Sequence, residues 1–280
     1  MTDAFWIILT GSLVAVSCAI LGSFLILRKM SMVGDAISHS VLPGIVIAFF
    51  IAGSMQSVWM LVGAGILGLI TTFLIEFFHQ KGKLQTDASI GVTFTWLFAL
   101  GVILVTYYAG NAHIDQDCIL HGEIAYVPID LIYSTDGTPL GPKAVIILSF
   151  VLSLILLFVF LFYKELFITT FDPSFASAIG ISTSKWHYVL MGLVSLTTVA
   201  SFESVGAILV VALLIAPAAS AYLITNQLKS MLLLSSLFGI LSSFAGYWLS
   251  YLLDGSIAGA MVTISGVIFA ICYIIVRLKK

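Results

Sequence analysis

Long apolar runs separated by short polar connections dominate the chain. Runs long enough to cross, or nearly cross, about 30 Å of hydrocarbon lie near residues 5–27, 35–52, 58–78, 88–109, 143–163, 184–200, 204–225, 230–253 and 257–276. The run at 184–200 is the weakest, so the pattern predicts eight or nine transmembrane helices. We therefore expect an all-α polytopic membrane protein in which residues 1–280 form a single transmembrane domain.

Composition supports this class. Hydrophobic residues make up 61% of the chain and charged residues 9%, and the mean hydropathy is +1.18. These values exclude an ordinary soluble globular protein. The three cysteines, Cys18, Cys118 and Cys272, form no disulfide framework, so redox chemistry is not indicated. We expect membrane lipid as the surroundings and no nucleic-acid partner.

The cationic residues predict an orientation in the membrane. If all nine runs cross, the connecting loops alternate between the two sides, and Lys143 is the only one of the eleven Lys and Arg residues that falls on the minority side. Because loops rich in Lys and Arg stay in the cytoplasm, the C-terminus is expected inside and the N-terminus outside. The opposite face carries an acidic loop, about residues 110–142, with Asp115, Asp117, Glu123, Asp130 and Asp136.

Asp35 and His39 are the candidate chemical groups of the second run. Their spacing of four places both side chains on one face of a helix, one turn apart. An ionisable residue within hydrocarbon costs about 2.5–3.5 kcal/mol, which marks such a pair as a functional-site candidate. Pro43, which precedes Gly44, has no N–H to donate, so the carbonyl of His39 loses its helical donor. Together these groups resemble half of a divalent-cation site.

Simpler interpretations of these residues remain open. Asp35 follows Gly34 and fits a helix N-cap, a role compatible with metal binding. Pro43 and Pro217 can be plain kinks in membrane helices, although Pro217 also frees a carbonyl that could line a pathway. Loop alternation places Asp35 near the inner end of its helix unless residues 30–34 re-enter the membrane.

A second informative segment lies on the predicted cytoplasmic side, about residues 164–183. Asp172 suits an N-cap, Pro173 suits the first helical position and Gly180 suits a left-handed stop. The short helix between them would place Phe171, Phe175, Ala178 and Ile179 on one face. That face must be covered by lipid headgroups, by the protein's own bundle or by a partner protein. The nearby His187, next to Lys185 and Trp186, is interpreted as an interfacial anchor.

Four stretches together resemble one family. They are residues 28–44, which contain the Asp35 and His39 pair; residues 171–181; residues 203–221; and the loop at residues 117–126. Together they are similar to the membrane permease subunit of bacterial manganese, zinc or iron ABC importers. The resemblance extends over essentially the whole chain.

The resemblance implies an assembly in the bacterial plasma membrane. Such a permease would form a homodimer, or a dimer with a close homologue. It would also work with two cytoplasmic ABC ATPase subunits and an extracytoplasmic metal-binding protein. No cofactor is expected to be bound permanently, because the metal is the cargo.

The resemblance also implies roles for particular residues. Asp35 and His39 match the family's intramembrane metal site, and Glu203 is a third candidate ligand. The short cytoplasmic helix matches the family's coupling helix, which docks on the ATPase. Its matching residues are Phe171, Asp172, Pro173, Phe175, Ala176 and Gly180.

The chemistry of these groups favours manganese and tolerates zinc or ferrous iron. The chain has no G-x-x-x-x-G-K-[ST] motif, so we expect a permease that is not itself an enzyme, with ATP hydrolysis in a separate chain. An intramembrane metalloprotease would need an H-E-x-x-H motif, which is absent. An autonomous secondary transporter or channel is a further alternative, for which internal inverted repeats would be expected.

Overall fold

The computed structural model describes residues 3–52, 57–108, 124–133 and 139–278. The helices are α1 (Asp3–Leu27), α2 (Val33–Ser40), α3 (Leu42–Ala52), α4 (Ser57–Gln80), α5 (Thr86–Tyr108), α6 (Lys143–Leu161), α7 (Tyr163–Phe171), α8 (Pro173–Ala178), α9 (Thr183–Val205), α10 (Ala207–Ile224), α11 (Leu228–Leu253) and α12 (Ile257–Leu278). Most of the predicted acidic loop, including Asp115, Asp117, Glu123 and Asp136, lies outside the described residues.

Eight segments of the described chain are long and apolar enough to cross a membrane. They comprise α1, the combined α2–α3 segment, α4, α5, α6, α10, α11 and α12. The predicted all-α polytopic fold is confirmed. A single two-stranded antiparallel sheet among the described residues, β1 (Leu131–Tyr133) with β2 (Pro139–Pro142), precedes α6.

Helix α9 corresponds to the weakest predicted run. Its 23 residues extend about 35 Å, enough for a crossing helix. The helix is less apolar because hydroxyl residues occupy its buried positions: Ser195, Thr197, Thr198 and Ser201. It packs against α1, α4, α6 and α10. Since neighbouring helices rather than lipid surround much of it, its polarity reflects its interior position.

Two groups of helices flank α9. Helices α1, α10, α11 and α12 pack against one another, and α2, α3, α4 and α5 form the second group. Helix α9 contacts members of both groups, and α2 also reaches α10. The buried apolar residues form one cluster that includes side chains from both groups. The helix carrying Asp35 and His39 therefore lies where the two groups meet.

A break at Val41 separates α2 from α3. Val41 keeps helical dihedral angles, and the N–H of Gly44 donates to its carbonyl at 2.9 Å, three residues back. Pro43, the second residue of α3, is buried and packs against Gly101 of α5. Proline's missing N–H and ring account for the break at this point.

The connection between α1 and α2 carries the chain back into the bundle. Gly22 and Gly34 both pack against Leu214 of α10, and a side chain at Gly22 would overlap the Leu214 carbonyl. Gly22 and Gly34 therefore lie at a similar level along the bundle. Because Gly22 lies five residues before the end of α1, that level is about 8 Å inside the end of this helix. The connection after α1 therefore brings the start of α2 back alongside α1. Re-entry of residues 30–34 into the membrane stays a prediction.

Candidate metal-binding cleft

Asp35 and His39 face each other across one turn of α2. The Oδ1 atom of Asp35 lies 3.6 Å from Nε2 of His39. This distance exceeds that of an ordinary hydrogen bond. Two ligand atoms held about 2.1 Å from one ion at a tetrahedral angle are about 3.4 Å apart, close to the observed separation. The pair can therefore bind one cation with little rearrangement.

The pair opens into a cleft of about 540 Å³. The lining residues are Asp35, Ser38 and His39 of α2, Ala207, Ile208, Val211, Ala212, Ile215 and Ala216 of α10, and Val262 of α12. The Asp35 and His39 side chains remain 36% and 40% exposed. Among the described residues of this lining, Asp35 and His39 are the ionisable ones. A carboxylate and an imidazole thus share an apolar wall with small alanine side chains.

Aromatic rings of α5 pack beside the imidazole of His39. The centroid of the Phe94 ring lies 5.9 Å from that of His39, and the Phe98 ring lies 5.8 Å away. Within α2, Ser38 Oγ donates to the Gly34 carbonyl at 2.9 Å, which satisfies this hydroxyl beside the cleft. These contacts restrict the orientation of the imidazole before any cation arrives.

The described part of the chain contains no group of three or more His, Cys, Asp and Glu side chains able to hold a metal ion. Divalent transition metals commonly take four to six ligands. Asp35 and His39 therefore provide only part of a coordination shell, and the cleft leaves room for further ligands. Glu203 lies in α9, but its side chain is outside the described part of the structure.

The predicted kink residues lie away from the cleft lining. Pro43 and Gly44 are buried, and a side chain at Gly44 would lie 2.5 Å from the Gly63 carbonyl of α4. Pro217 is buried within α10, as is Leu213, whose carbonyl it frees. These residues shape the helices that carry the cleft.

The predicted short cytoplasmic helix corresponds to α8. Asp172 caps it by accepting a hydrogen bond from the Phe175 N–H at 2.9 Å, and Pro173 is its first residue. Gly180 adopts φ +86°, and the Ile181 N–H donates to the Ala176 carbonyl at 2.9 Å. The last bond spans six residues and, with the left-handed glycine, forms a Schellman stop.

The exposed side of this segment is apolar. Phe171, Phe175 and Ile179 are 50%, 53% and 50% exposed, whereas Ala176 is fully buried and faces the rest of the chain. The described residues of the chain therefore leave this face half exposed, so lipid headgroups or a partner protein must cover the rest.

The described bundle also contains contacts of ionisable side chains that sequence reasoning missed. His187 Nε2 lies 2.9 Å from Glu76 Oε2, and both side chains are largely buried. The interpretation of His187 as an interfacial anchor was wrong, because the side chain pairs with α4. Arg28 contacts Thr169 and Thr170 of α7. The only sequence signal for these contacts was a carboxylate, Glu76, within an apolar run.

Comparison with known proteins agrees with this arrangement. Residues 2–277 match the ABC 3 transport family. The chain is 51% identical to the manganese transport system membrane protein MntD of Bacillus subtilis over 98% of this chain and 92% of that protein. It is 44% identical to the zinc transport system membrane protein TroD of Treponema pallidum over 96% of this chain and 72% of that protein.

A solved structure extends the comparison to the fold. PsaBC from Streptococcus pneumoniae in complex with Fab superposes with a TM-score of 0.78 at 34% identity, covering 98% of this chain and 91% of that one. The resemblance to metal ABC importer permeases predicted from the sequence is confirmed, and the chain belongs to the ABC 3 transport family.

Proposed function

We propose that this chain is the membrane-spanning subunit of an ATP-driven importer whose cargo is a divalent transition metal, with manganese as the physiological ion. The observation that carries this proposal is the Asp35 and His39 pair, 3.6 Å apart at an apolar cleft, in a member of the ABC 3 transport family. A carboxylate and an imidazole within a membrane-spanning segment suit a cation in transit.

Manganese is favoured over zinc for two reasons. The relative named for manganese is 51% identical, and the one named for zinc is 44% identical. A carboxylate and one imidazole, without cysteine, also form a hard ligand set. Because intrinsic affinity would favour zinc, the choice of metal depends on coordination geometry and on the protein that delivers the ion.

A second permease subunit, identical or closely homologous, completes the site. One chain contributes Asp35 and His39, and the cleft between α2, α10 and α12 is open at these residues. The same pair from the facing subunit would supply two further ligands, giving four protein ligands in total. Glu203 and the freed His39 carbonyl are candidates for additional oxygen ligands.

Two segments between the membrane-spanning helices, α8 and the acidic loop, indicate where the partner proteins bind. Two cytoplasmic ATPase subunits dock on the exposed apolar face of α8. They supply the nucleotide-binding motif that the permease lacks. An extracytoplasmic binding protein delivers the ion at the acidic loop. This orientation has α9 crossing the membrane, the C-terminus in the cytoplasm and the N-terminus outside, in a bacterial plasma membrane.

Uptake of radioactive manganese tests the function directly. Cells that lack other manganese importers receive this chain with its ATPase and binding protein. Manganese uptake is measured with and without a tenfold excess of zinc. Such an excess would offset a preference for manganese of about 1.4 kcal/mol in binding free energy. We expect ATP-dependent manganese accumulation that zinc reduces weakly. Uptake by this chain alone, without ATPase or ATP, would instead indicate a secondary transporter.

A further inference from the structure

The guanidinium of Arg28 joins two distant parts of the chain at the end of α1. Its Nε donates to Thr170 Oγ1 and one terminal nitrogen donates to Thr169 Oγ1, both at 3.2 Å. Both threonines belong to α7, and Thr169 is buried. Because the guanidinium is planar and two of its N–H groups bind neighbouring hydroxyls, the contact fixes both the orientation of the Arg28 side chain and its distance from α7. The single ammonium group of a lysine could not reproduce this geometry.

A buried carboxylate balances this guanidinium. Burial lowers the pKa of Arg28 to about 10, and the charge of Glu76 acts in the opposite direction. Arg28 therefore remains charged at neutral pH. Glu76 also lies 2.9 Å from His187 of α9, so one carboxylate of α4 serves both groups. A second cation site does not fit here, because the positive charge of Arg28 opposes it.

Arg28 also begins the connection that leads to the cleft. The Lys29 N–H donates to Ile26 at 3.0 Å and the Met30 N–H donates to Leu25 at 2.9 Å. Lys29 takes the left-handed position, with φ +58°. This Schellman turn ends α1 tightly at Arg28. The chain then enters α2 at Val33, two residues before Asp35.

The other side of the contact leads to the proposed docking helix. Helix α7 ends at Phe171, and Asp172 is both its C-cap and the N-cap of α8. A displacement of α8 therefore reaches Thr169 and Thr170 through continuous chain. The Arg28 guanidinium donates to two neutral hydroxyls, so the contact fixes the position of α7 relative to the start of the connection between α1 and α2.

We propose that the contact of Arg28 with Thr169 and Thr170 transmits movement of α8 to the helix that carries Asp35 and His39. Arg28 is a positioning residue through its hydrogen bonds to Thr169 and Thr170. Glu76, which pairs with His187 of α9, is the carboxylate whose charge favours the protonated guanidinium. This inference rests on the proposed function, since it requires an ATPase at α8. It adds the route by which nucleotide-driven movement reaches the cation.

The test measures access to the cleft in the complete transporter. A reporter cysteine replaces Ala212, which lines the cleft, in a chain with Cys18→Ala, Cys118→Ser and Cys272→Ala. The reporter chain is first checked for manganese uptake. Its rate of modification by a membrane-permeant maleimide is then measured in membrane vesicles with and without ATP and vanadate, alongside recovery of the ATPase with the tagged permease.

We expect nucleotide to change the labelling rate in the parent reporter. In Arg28→Met the nucleotide response disappears and manganese uptake falls roughly five- to tenfold, the range of a modest coupling free energy. The rate without nucleotide and the recovery of the ATPase stay unchanged. The double variant Thr169→Val, Thr170→Val shows the same loss of nucleotide response and of uptake as Arg28→Met. Combining all three substitutions lowers uptake no further, because they break the same contact. Lys29→Gln, at the exposed neighbouring cation, is the matched control and has no effect.

Three outcomes would overturn the proposal. A normal nucleotide response and normal uptake in both Arg28→Met and the threonine pair would remove the link. If Arg28→Met lowered recovery of the ATPase by the same factor as it lowered manganese uptake, Arg28 would only stabilise the structure. A parent transporter without ATP-dependent manganese uptake would overturn the proposed function itself, and that failure is distinct because it precedes any variant.

Discussion

The Oδ1 atom of Asp35 lies 3.6 Å from Nε2 of His39, at the wall of an otherwise apolar cleft. The distance suits two ligands of a single cation better than it suits a hydrogen bond. Because these are the ionisable residues among the described lining of the cleft, the proposed transport depends on both.

Removing either ligand should therefore abolish transport. We expect Asp35→Asn and His39→Gln each to reduce manganese accumulation in cells at least about a hundredfold. Each substitution removes one of the two ligands that this chain contributes, and the remaining ligand alone binds the cation too weakly. Amounts of the permease and recovery of the ATPase should stay normal. Asp87→Asn and His79→Gln, at exposed positions, are the controls. Wild-type accumulation in both ligand variants would contradict the assignment.

The exposed face of the short cytoplasmic helix should govern ATPase association. Phe171 and Phe175 are half exposed, and aromatic anchors commonly dominate an interface. We predict that Phe171→Ala with Phe175→Ala lowers recovery of the ATPase with the tagged permease about tenfold or more. Phe160→Ala, on α6 and 84% exposed, is the matched control and should leave recovery unchanged. Equal recovery from all variants would show that α8 is not the docking site.

Two glycines of α4 offer a test of helix packing. A Cβ atom at Gly63 would lie 2.5 Å from Gly44 O and Ala48 Cβ, whereas one at Gly65 would meet nothing within 4 Å. Gly63→Ala should lower stability by about 1–3 kcal/mol through overpacking, and Gly65→Ala should be neutral or raise stability by up to about 1 kcal/mol. Thermal unfolding of the purified permease in one detergent measures both. Equal shifts would indicate that α3 and α4 are packed less closely than described.

The buried pair of Glu76 and His187 should respond asymmetrically to substitution. Glu76→Leu leaves His187 without its carboxylate partner and removes the negative charge that favours the protonated Arg28, at a cost of about 3–5 kcal/mol. His187→Leu leaves Glu76 with the charge of Arg28 and should cost less. Lys185→Leu, at an exposed neighbour of His187, is the control. Thermal unfolding that ranks His187→Leu as the more damaging variant would contradict this account.

Patterns over a few neighbouring residues predicted those features of the site that depend only on neighbouring residues. The spacing of Asp35 and His39 set their shared face, and Asp172, Pro173 and Gly180 predicted the limits of α8 because capping depends on neighbouring residues. The eight apolar segments likewise follow from hydropathy over short windows. These features need no knowledge of the tertiary fold.

Contacts between distant helices were beyond such reasoning. Nothing near His187 in the sequence indicates Glu76, and nothing near Arg28 indicates Thr169 or Thr170, because tertiary packing alone brings them together. The packing of Gly22 and Gly34 against the same residue, Leu214, was equally beyond local patterns, because it joins the two ends of the connection to a distant helix.

Anomalous X-ray scattering from crystals of the assembled transporter with manganese tests the central claim most directly. We predict a peak at the manganese edge within coordination distance of Asp35 and His39, about 2.0–2.3 Å from their ligand atoms, that is absent in the Asp35→Asn variant. A manganese peak elsewhere in the membrane region, with none at these two residues, would contradict the account.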